Sequence, residues 1–264
     1  MKIEYRKLAS QDDFSQCIDL QRSIFGLSDI DIVSPLILQL IARENPSMGI
    51  LLGAFKITEE KQELIGFIIS MATSLERSLY GTVIGVKTQY LNKGYGLYLI
   101  LKLREEALKN NLEYLFGVYE PLDKNLAHLY INHLGFIGTH YQEDIYYLNG
   151  TNKKDHVPTD KILFKWDFKS LSKDDKIKNN SREWLQLYPI ATSDNMPDSP
   201  HVLVEIPYNF DLMKKEDIKK AMYWRQRTKE IFTHYINHRN YIIYDYLTSR
   251  ENQIKKSFYL LKTQ

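Results

Sequence analysis

The stretch Tyr90-Leu91-Asn92-Lys93-Gly94-Tyr95-Gly96-Leu97 constrains this chain more than any other. Before it, Thr82-Val83-Ile84-Gly85-Val86 is apolar and β-branched and predicts a strand. After it, Leu99, Ile100, Leu103 and Leu108 are spaced as one buried helical stripe over about 96–110. Two glycines one residue apart at such a junction let backbone N–H groups crowd together at a helix start. Unpaired donors and the helix dipole then favour an anion, and a diphosphate fits such a place. A Gly-x-Gly alone is a weak signal; here a strand precedes it and a helix comes after.

The bulk properties set the class. The chain has 264 residues, 44% hydrophobic and 26% charged, which is the balance of a folded globular protein. Net charge is +2, from 35 basic and 33 acidic residues, so nothing drives it toward nucleic acid or an anionic membrane. Cys17 is the single cysteine, which excludes an internal disulfide, and its place beside Ile18 and Leu20 predicts a buried structural thiol. The N-terminus lacks the apolar core of a signal peptide, and no apolar run reaches the roughly 20 residues of a membrane helix. A cytoplasmic location is the expectation.

Along the chain, 2–9 alternates as a strand. Ser10 with Asp13 predicts a capped helix to Phe25, ended by Gly26. Ser34-Pro35 opens a second helix that stops near Asn45-Pro46. Strands follow at 49–57 and 64–71, with Gly53 and Gly66 marking bulges or close backbone approach, and then at 79–87. After the glycine turn and its helix come a strand at 112–119, a short helix at 124–134 and an alternating stretch at 138–148. This order predicts an α+β fold, a mixed and mostly antiparallel sheet flanked by helices. The polar segment 149–158 reads as a boundary between a domain at 1–150 and a smaller α/β extension at 159–264. In the extension the pattern predicts strands at 161–168 and 201–206, an irregular span at 169–200 that includes Asn179-Asn180, one long helix at 214–238, and a hairpin of 241–247 with 256–261 around Ser249-Arg250-Glu251-Asn252. No sequence repeat and no low-complexity tract is read.

Residues 1–148 resemble the GNAT acyltransferase superfamily. The resemblance rests on element order and two motifs. Leu91-Asn92-Lys93-Gly94-Tyr95-Gly96 stands where that family has Gln/Arg-x-x-Gly-x-Gly/Ala, with both small positions kept and Leu91 in the leading place. Asn125-Leu126-Ala127 followed by Leu134-Gly135-Phe136 matches the second. Tyr119-Glu120-Pro121-Leu122, Tyr141-Gln142-Glu143-Asp144, Ile162 to Trp166 and Ala221 to Arg225 are similar to a bacterial and archaeal subfamily of predicted acetyltransferases of unknown substrate.

The resemblance implies an acyl-CoA-dependent N-acyltransferase, with acetyl-CoA or another acyl-CoA as co-substrate and no metal. The N–H groups of Leu91, Asn92, Lys93, Gly94, Tyr95 and Gly96 would cradle the coenzyme's diphosphate. Its pantetheine arm would pair with Ile84, Gly85 and Val86, and Asn125 would cap its own helix and touch the coenzyme. An amine would attack the thioester directly, aligned in a cleft between two splayed strands. Glu120, at the end of a strand, is the first candidate for general base or amine-orienting group; its bland alternative is a solvated loop carboxylate before Pro121. Relatives place a thiolate-protonating Tyr four residues before the Gly of Leu-Gly-Phe. That position is Ile131 here, and Tyr130 serves only if the helix is re-registered.

The acceptor stays open among a small amine, an amino-acid derivative and a peptide N-terminus, with the extension packing near the acceptor side. A homodimer is among the expected assemblies. The alternatives are a non-catalytic acyl-CoA sensor, and an aminoacyl-tRNA-dependent transferase, against which the near-neutral charge argues. His128 and His133, five apart, and His234 and His238, four apart, are not expected to bind metal. Lys214, Lys215, Lys219, Lys220, Arg225 and Arg227 read as a solvated basic face, or as a reach toward an acidic substrate or the coenzyme's 3′-phosphate. Tyr223, Phe232 and Tyr235 are expected core contacts.

Overall fold

The computed structural model describes the chain except for Met1, 26–31, 44–46, 146–156, 171–180 and 252–253. Five expectations fall on those residues: the helix stops at Gly26 and Asn45-Pro46, most of the 149–158 boundary, Asn179-Asn180 and Asn252 of the hairpin turn, whose other predicted residues, Ser249, Arg250 and Glu251, continue the strand before it. The chain packs as two compact units, Met1–Gly117 and Val118–Gln264.

The first unit holds β1 (Lys2–Lys7), α1 (Gln11–Phe25), α2 (Pro35–Ala42), β2 (Gly49–Ile57), β3 (Gln62–Ala72), β4 (Ser78–Val86), a 3₁₀ turn (Thr88–Tyr90), α3 (Tyr95–Lys109) and the start of β5 (Tyr114–Tyr119). The strands lie in the order β1-β2-β3-β4-β5, antiparallel as far as β4, with β4 and β5 parallel. Helix α1 packs on β3, and α3 packs on β2 and β3. Cys17, Phe14, Leu38, Phe55 and Phe67 are among the buried residues of one core, and burial pushes the Cys17 thiol up to about 12, so it is inert. At Gly53 a Cβ would stand 2.6 Å from the Leu64 and Leu8 side chains, and at Gly66 it would stand 3.1 Å from Gly85 C=O, so the close backbone approach is at Gly66.

Helix α1 starts as the Ser10/Asp13 pattern predicts. Ser10 Oγ accepts from the Asp13 N–H at 3.1 Å, and the Asp13 carboxylate accepts from the N–H groups of Ala9 and Ser10. Arg6 adds a two-pronged pair to the same carboxylate, both bonds 2.8 Å. Burial pushes this carboxyl up, but Arg6 and the two N–H groups outweigh it and hold the pKa at about 2, against an ordinary 3.8. A depressed folded pKa stabilises fully above the ordinary value and loses that stability as pH falls toward 2. Asp13→Asn is therefore expected to cost about 1–2 kcal/mol near neutral pH, allowing for the partial exposure of Arg6. Urea unfolding should show the gap between wild type and variant closing between pH 4 and about pH 2; a constant gap would refute this.

The second unit holds the end of β5, α4 (Lys124–Ala127), a π-helix (His128–His133), β6 (Ile137–Gln142), β7 (Lys161–Asp167), α5 (Ser181–Leu187), β8 (Ile190–Ala191), β9 (His201–Ile206), α6 (Phe210–Glu216), α7 (Ile218–Phe232), a second π-helix (Thr233–His238), β10 (Tyr241–Glu251) and β11 (Ile254–Thr263). Its strands lie in the order β7-β6-β10-β11-β9-β8, all antiparallel except β8 with β9. Packing thus divides the chain within β5, because β6 pairs with the later strands β7 and β10.

Three local expectations differ. The span 169–200 contains α5 and β8. The single long helix is two: Asp217 leaves helical geometry (φ −148°, ψ 83°), and its carboxylate accepts from the Lys220 N–H to start α7 afresh. Phe232 and Tyr235 are buried as expected, whereas Tyr223 is 61% exposed.

Candidate active site

The glycine loop is built by local backbone rules. Asn92 (φ 58°) and Gly94 (φ 83°) take left-handed conformations, and Gly94 caps α3 without a side chain. Tyr98 N–H donates to Gly94 C=O at 3.0 Å, the first bond of the helix. The N–H groups of Tyr95, Gly96 and Leu97 therefore have no helical acceptor and point out of the helix start. Leu91 is an exception to the expected cradle: its N–H donates to Thr88 C=O at 3.2 Å, closing the 3₁₀ turn. Lys93 lays its ammonium on Gln89 C=O at 3.1 Å. A Cβ on Gly96 would meet nothing nearer than Val86 Cγ2 at 3.9 Å. The fold does not demand glycine there, so the space over the amides is open to a ligand. These residues fit a diphosphate.

Strand β4 supplies a second row of donors. Its register with β5 runs only through Ser78↔Tyr114, Leu79↔Leu115 and Tyr80↔Phe116, while β4 continues to Val86. Lys87 N–H donates to Ile65 C=O at 2.8 Å, on the β3 side. Alternation then turns Gly85 toward β3, and Ile84 and Val86 toward the opposite edge. Of the three expected residues, Ile84 and Val86 offer N–H groups to an added strand.

Glu120 lies in the second unit. It starts a turn in which Asp123 N–H donates to Glu120 C=O at 3.2 Å, and its own carboxylate accepts from Leu122 N–H at 3.1 Å. Oε1 also accepts from Arg225 Nη2 at 2.7 Å, and Oε2 lies 3.4 Å from Lys161 Nζ. Arg225 is 3% exposed and reaches toward a second carboxylate, Asp160, with Nε 4.0 Å from Oδ2. Asp160 is itself buried, accepts from the Tyr141 hydroxyl and accepts from Asp144 N–H at 3.0 Å. Burial, with Arg225 alongside, pushes Lys161 below the ordinary lysine range, partly offset by Glu120. Glu120 is thus no solvated loop carboxylate, and Arg225 is not part of a solvated face.

Asn125 is exposed and does not cap its helix; Asp123 does, accepting from Asn125 N–H at 2.8 Å. Tyr130 is buried, stacked on Phe136 at 4.9 Å and edge-on to Tyr119 at 5.6 Å. The helix is π-helical over His128–His133: Leu134 N–H bonds to Leu129 C=O, five residues back, so one extra residue lies before Leu-Gly-Phe. Burial, with Asp123, pushes the Tyr130 hydroxyl up to about 12. The same turn brings His128 and His133 together, Nε2 to Nε2 3.1 Å, because five residues is about one π turn. Among the described residues no group of three His, Cys, Asp or Glu is arranged to hold a metal.

No protein-family model and no curated protein matches the chain. Solved structures do. The ribosomal-protein-S18-alanine N-acetyltransferase from Escherichia coli is 14% identical and aligns over 66% of this chain and 98% of its own, with a TM-score of 0.50. The NatC complex bound to Gag peptide and CoA is 17% identical over 63% of this chain and 99% of its own, also at 0.50. An acetyltransferase of GNAT family from Streptococcus pneumoniae is 20% identical over 63% and 99%, at 0.49. The chain has the GNAT acetyltransferase fold. No helix among the described residues is long and apolar enough to cross a membrane.

Within this GNAT fold, sequence reasoning singled out the loop, the β4 edge and Glu120 as candidates, but did not foresee that Glu120, Arg225, Asp160, Lys161 and Tyr141 form one cluster. One signal was present: Ala221, Arg225, Thr228 and Phe232 fall at helical spacing on the stripe that α7 buries.

Proposed function

We propose that the protein is an acyl-CoA-dependent N-acyltransferase. The observation that carries this is the start of α3, where three outward N–H groups meet open space over Gly96. That arrangement suits the diphosphate of coenzyme A, and Ile84 and Val86 suit the amides of its pantetheine arm. Glu120 would orient the attacking amine: its oxygens are already held by Arg225, Lys161 and Leu122 N–H, which suits positioning better than proton abstraction. Tyr130 keeps its proton at neutral pH, as a donor to the departing thiolate must, while the burial that raises its hydroxyl to about 12 makes it a weaker acid. The acceptor would be a peptide N-terminus, an amino-acid derivative or another small amine. Tight hold on Glu120 equally suits an acyl-CoA sensor that transfers nothing.

Melting with and without acetyl-CoA tests the coenzyme part. At 100 times its dissociation constant the ligand should add ~2.7 kcal/mol to stability. No shift at millimolar acetyl-CoA would reject the proposal. Thiol release across a panel of amines then separates enzyme from sensor, since a sensor binds and releases none.

A further inference from the structure

The second unit contains a repeat, which corrects the expectation of none. Tyr130-Ile131-Asn132-His133 recurs as Tyr235-Ile236-Asn237-His238, and both runs are π-helical. The same offset in residue number relates the segments after them. Gly135 and Asn240 both take left-handed φ, 72° and 56°. Tyr130 meets Phe136 at 4.9 Å, and Tyr235 meets Tyr241 at 5.0 Å. The β6/β7 register shifts between Gly138 and His140, and the β10/β11 register shifts between Ile243 and Asp245. Strands β6 and β10 meet antiparallel at Gly138↔Ile243, which are equivalent positions. Only a two-fold relation pairs a position with its own counterpart. The side chains obey it too: Asn132 donates to Tyr246 C=O at 2.9 Å, while Asn237 accepts from Tyr141 N–H at 3.0 Å and donates to Tyr141 C=O at 2.8 Å. Each Asn reaches across to the same Tyr of the other copy.

The copies are not equal in chemistry. Tyr119 and Ile206 are the buried last residues of β5 and β9, so Glu120, the first residue after β5, corresponds to Pro207, and the second copy has no carboxylate there. Where the first copy has only α4 before its π-helix, the second has α6 and α7, and α7 carries Arg225 to Glu120. Arg225 Nε and Nη1 are buried with no hydrogen-bond partner among the described residues, so the guanidinium is held in place by Glu120, Asp160 and the Phe210 ring, 5.0 Å away.

We infer that β9 to β11 are a second copy of β5 to β7 that takes the place of a dimer partner across β6, and that this copy contributes Arg225 as the positioning residue for Glu120. The site is single, completed within one chain, and the protein is a monomer. The role given to Glu120 rests on the acyltransfer proposal; the Arg225–Glu120 coupling and the monomer do not.

The test uses the full chain as wild type, Arg225→Met, Arg225→Lys, Glu120→Gln and the pair R225M/E120Q. Light scattering should give the 31.2 kDa of one chain; a dimer overturns the substitution for a partner. In thermal unfolding, R225M should lower Tm by about 6–12 °C, because it leaves carboxylates buried without their cation, and E120Q in that background should recover a third or more of the loss. Losses that simply add overturn the pairing. If R225M does not fold, R225K and E120Q decide. R225K should raise acceptor KM roughly tenfold with kcat nearly unchanged, and acetyl-CoA affinity should stay within about threefold. A tenfold loss of acetyl-CoA affinity would instead assign Arg225 to the coenzyme and overturn the inference. If wild type does not bind acetyl-CoA, the acyltransfer proposal fails, and the mass and the Tm cycle still decide this one.

Discussion

Gly96→Glu is expected to abolish acetyl-CoA binding while the protein folds normally. The new Cβ finds only Val86 Cγ2, at 3.9 Å, so packing does not resist it. A glutamate in the first turn of α3 is also favourable to the helix, by about 0.3–1 kcal/mol. Its carboxylate, however, takes the space and the amides proposed for the diphosphate. At about 5 Å and an effective dielectric near 20, one charge against two costs several kcal/mol. Acetyl-CoA affinity should therefore fall at least ~100-fold, with Tm within about 3 °C of wild type. Calorimetric titration beside a melting curve checks both. Unchanged affinity in a folded variant would remove the phosphate-binding role of the loop.

Asn237→Ala should be among the most destabilising single side-chain truncations in the second unit outside the apolar core. It strips partners from both the N–H and the C=O of Tyr141, a residue 1% exposed. Each buried orphan costs about 1–3 kcal/mol, so a loss of about 3 kcal/mol is expected. The counterpart Asn132→Ala should cost only about 1 kcal/mol. Asn132 makes one of the two cross-copy bonds, and its Oδ1 has no partner among the described residues, because Tyr246 N–H is taken by Asp245 Oδ1 at 2.8 Å. Denaturant unfolding of the two variants measures the difference. Equal losses would show that the two-fold exchange is not what these side chains stabilise.

The elements that position the glycine loop were legible because their causes are local. Ser10 with Asp13 closes a helix start within four residues, and Ser34-Pro35 opens another. Gly94 supplies a left-handed cap in place, and the alternation of β4 alone fixes which amides face outward once one bond to β3 is known. The long helix was misjudged at Asp217 for a related reason: the residue is both helix-compatible and a strong cap, and only packing chooses. Tyr130 illustrates a subtler limit. Its spacing was wrong for an α-helix and right for a π-turn, and sequence periodicity does not announce an inserted residue.

Sequence alone determined the GNAT-like order of elements and the anion-ready start of α3, since each follows from contacts between neighbours in the chain. Tertiary structure alone decided that Glu120 is held by Arg225, Lys161 and Leu122 N–H, that Asp160 joins Tyr141, and that Asn132 and Asn237 exchange bonds across β6 and β10. Those pairings choose one partner from many similar charges and amides far apart in sequence. The choice is made by which faces are buried together, where an unpaired polar group is too costly to leave.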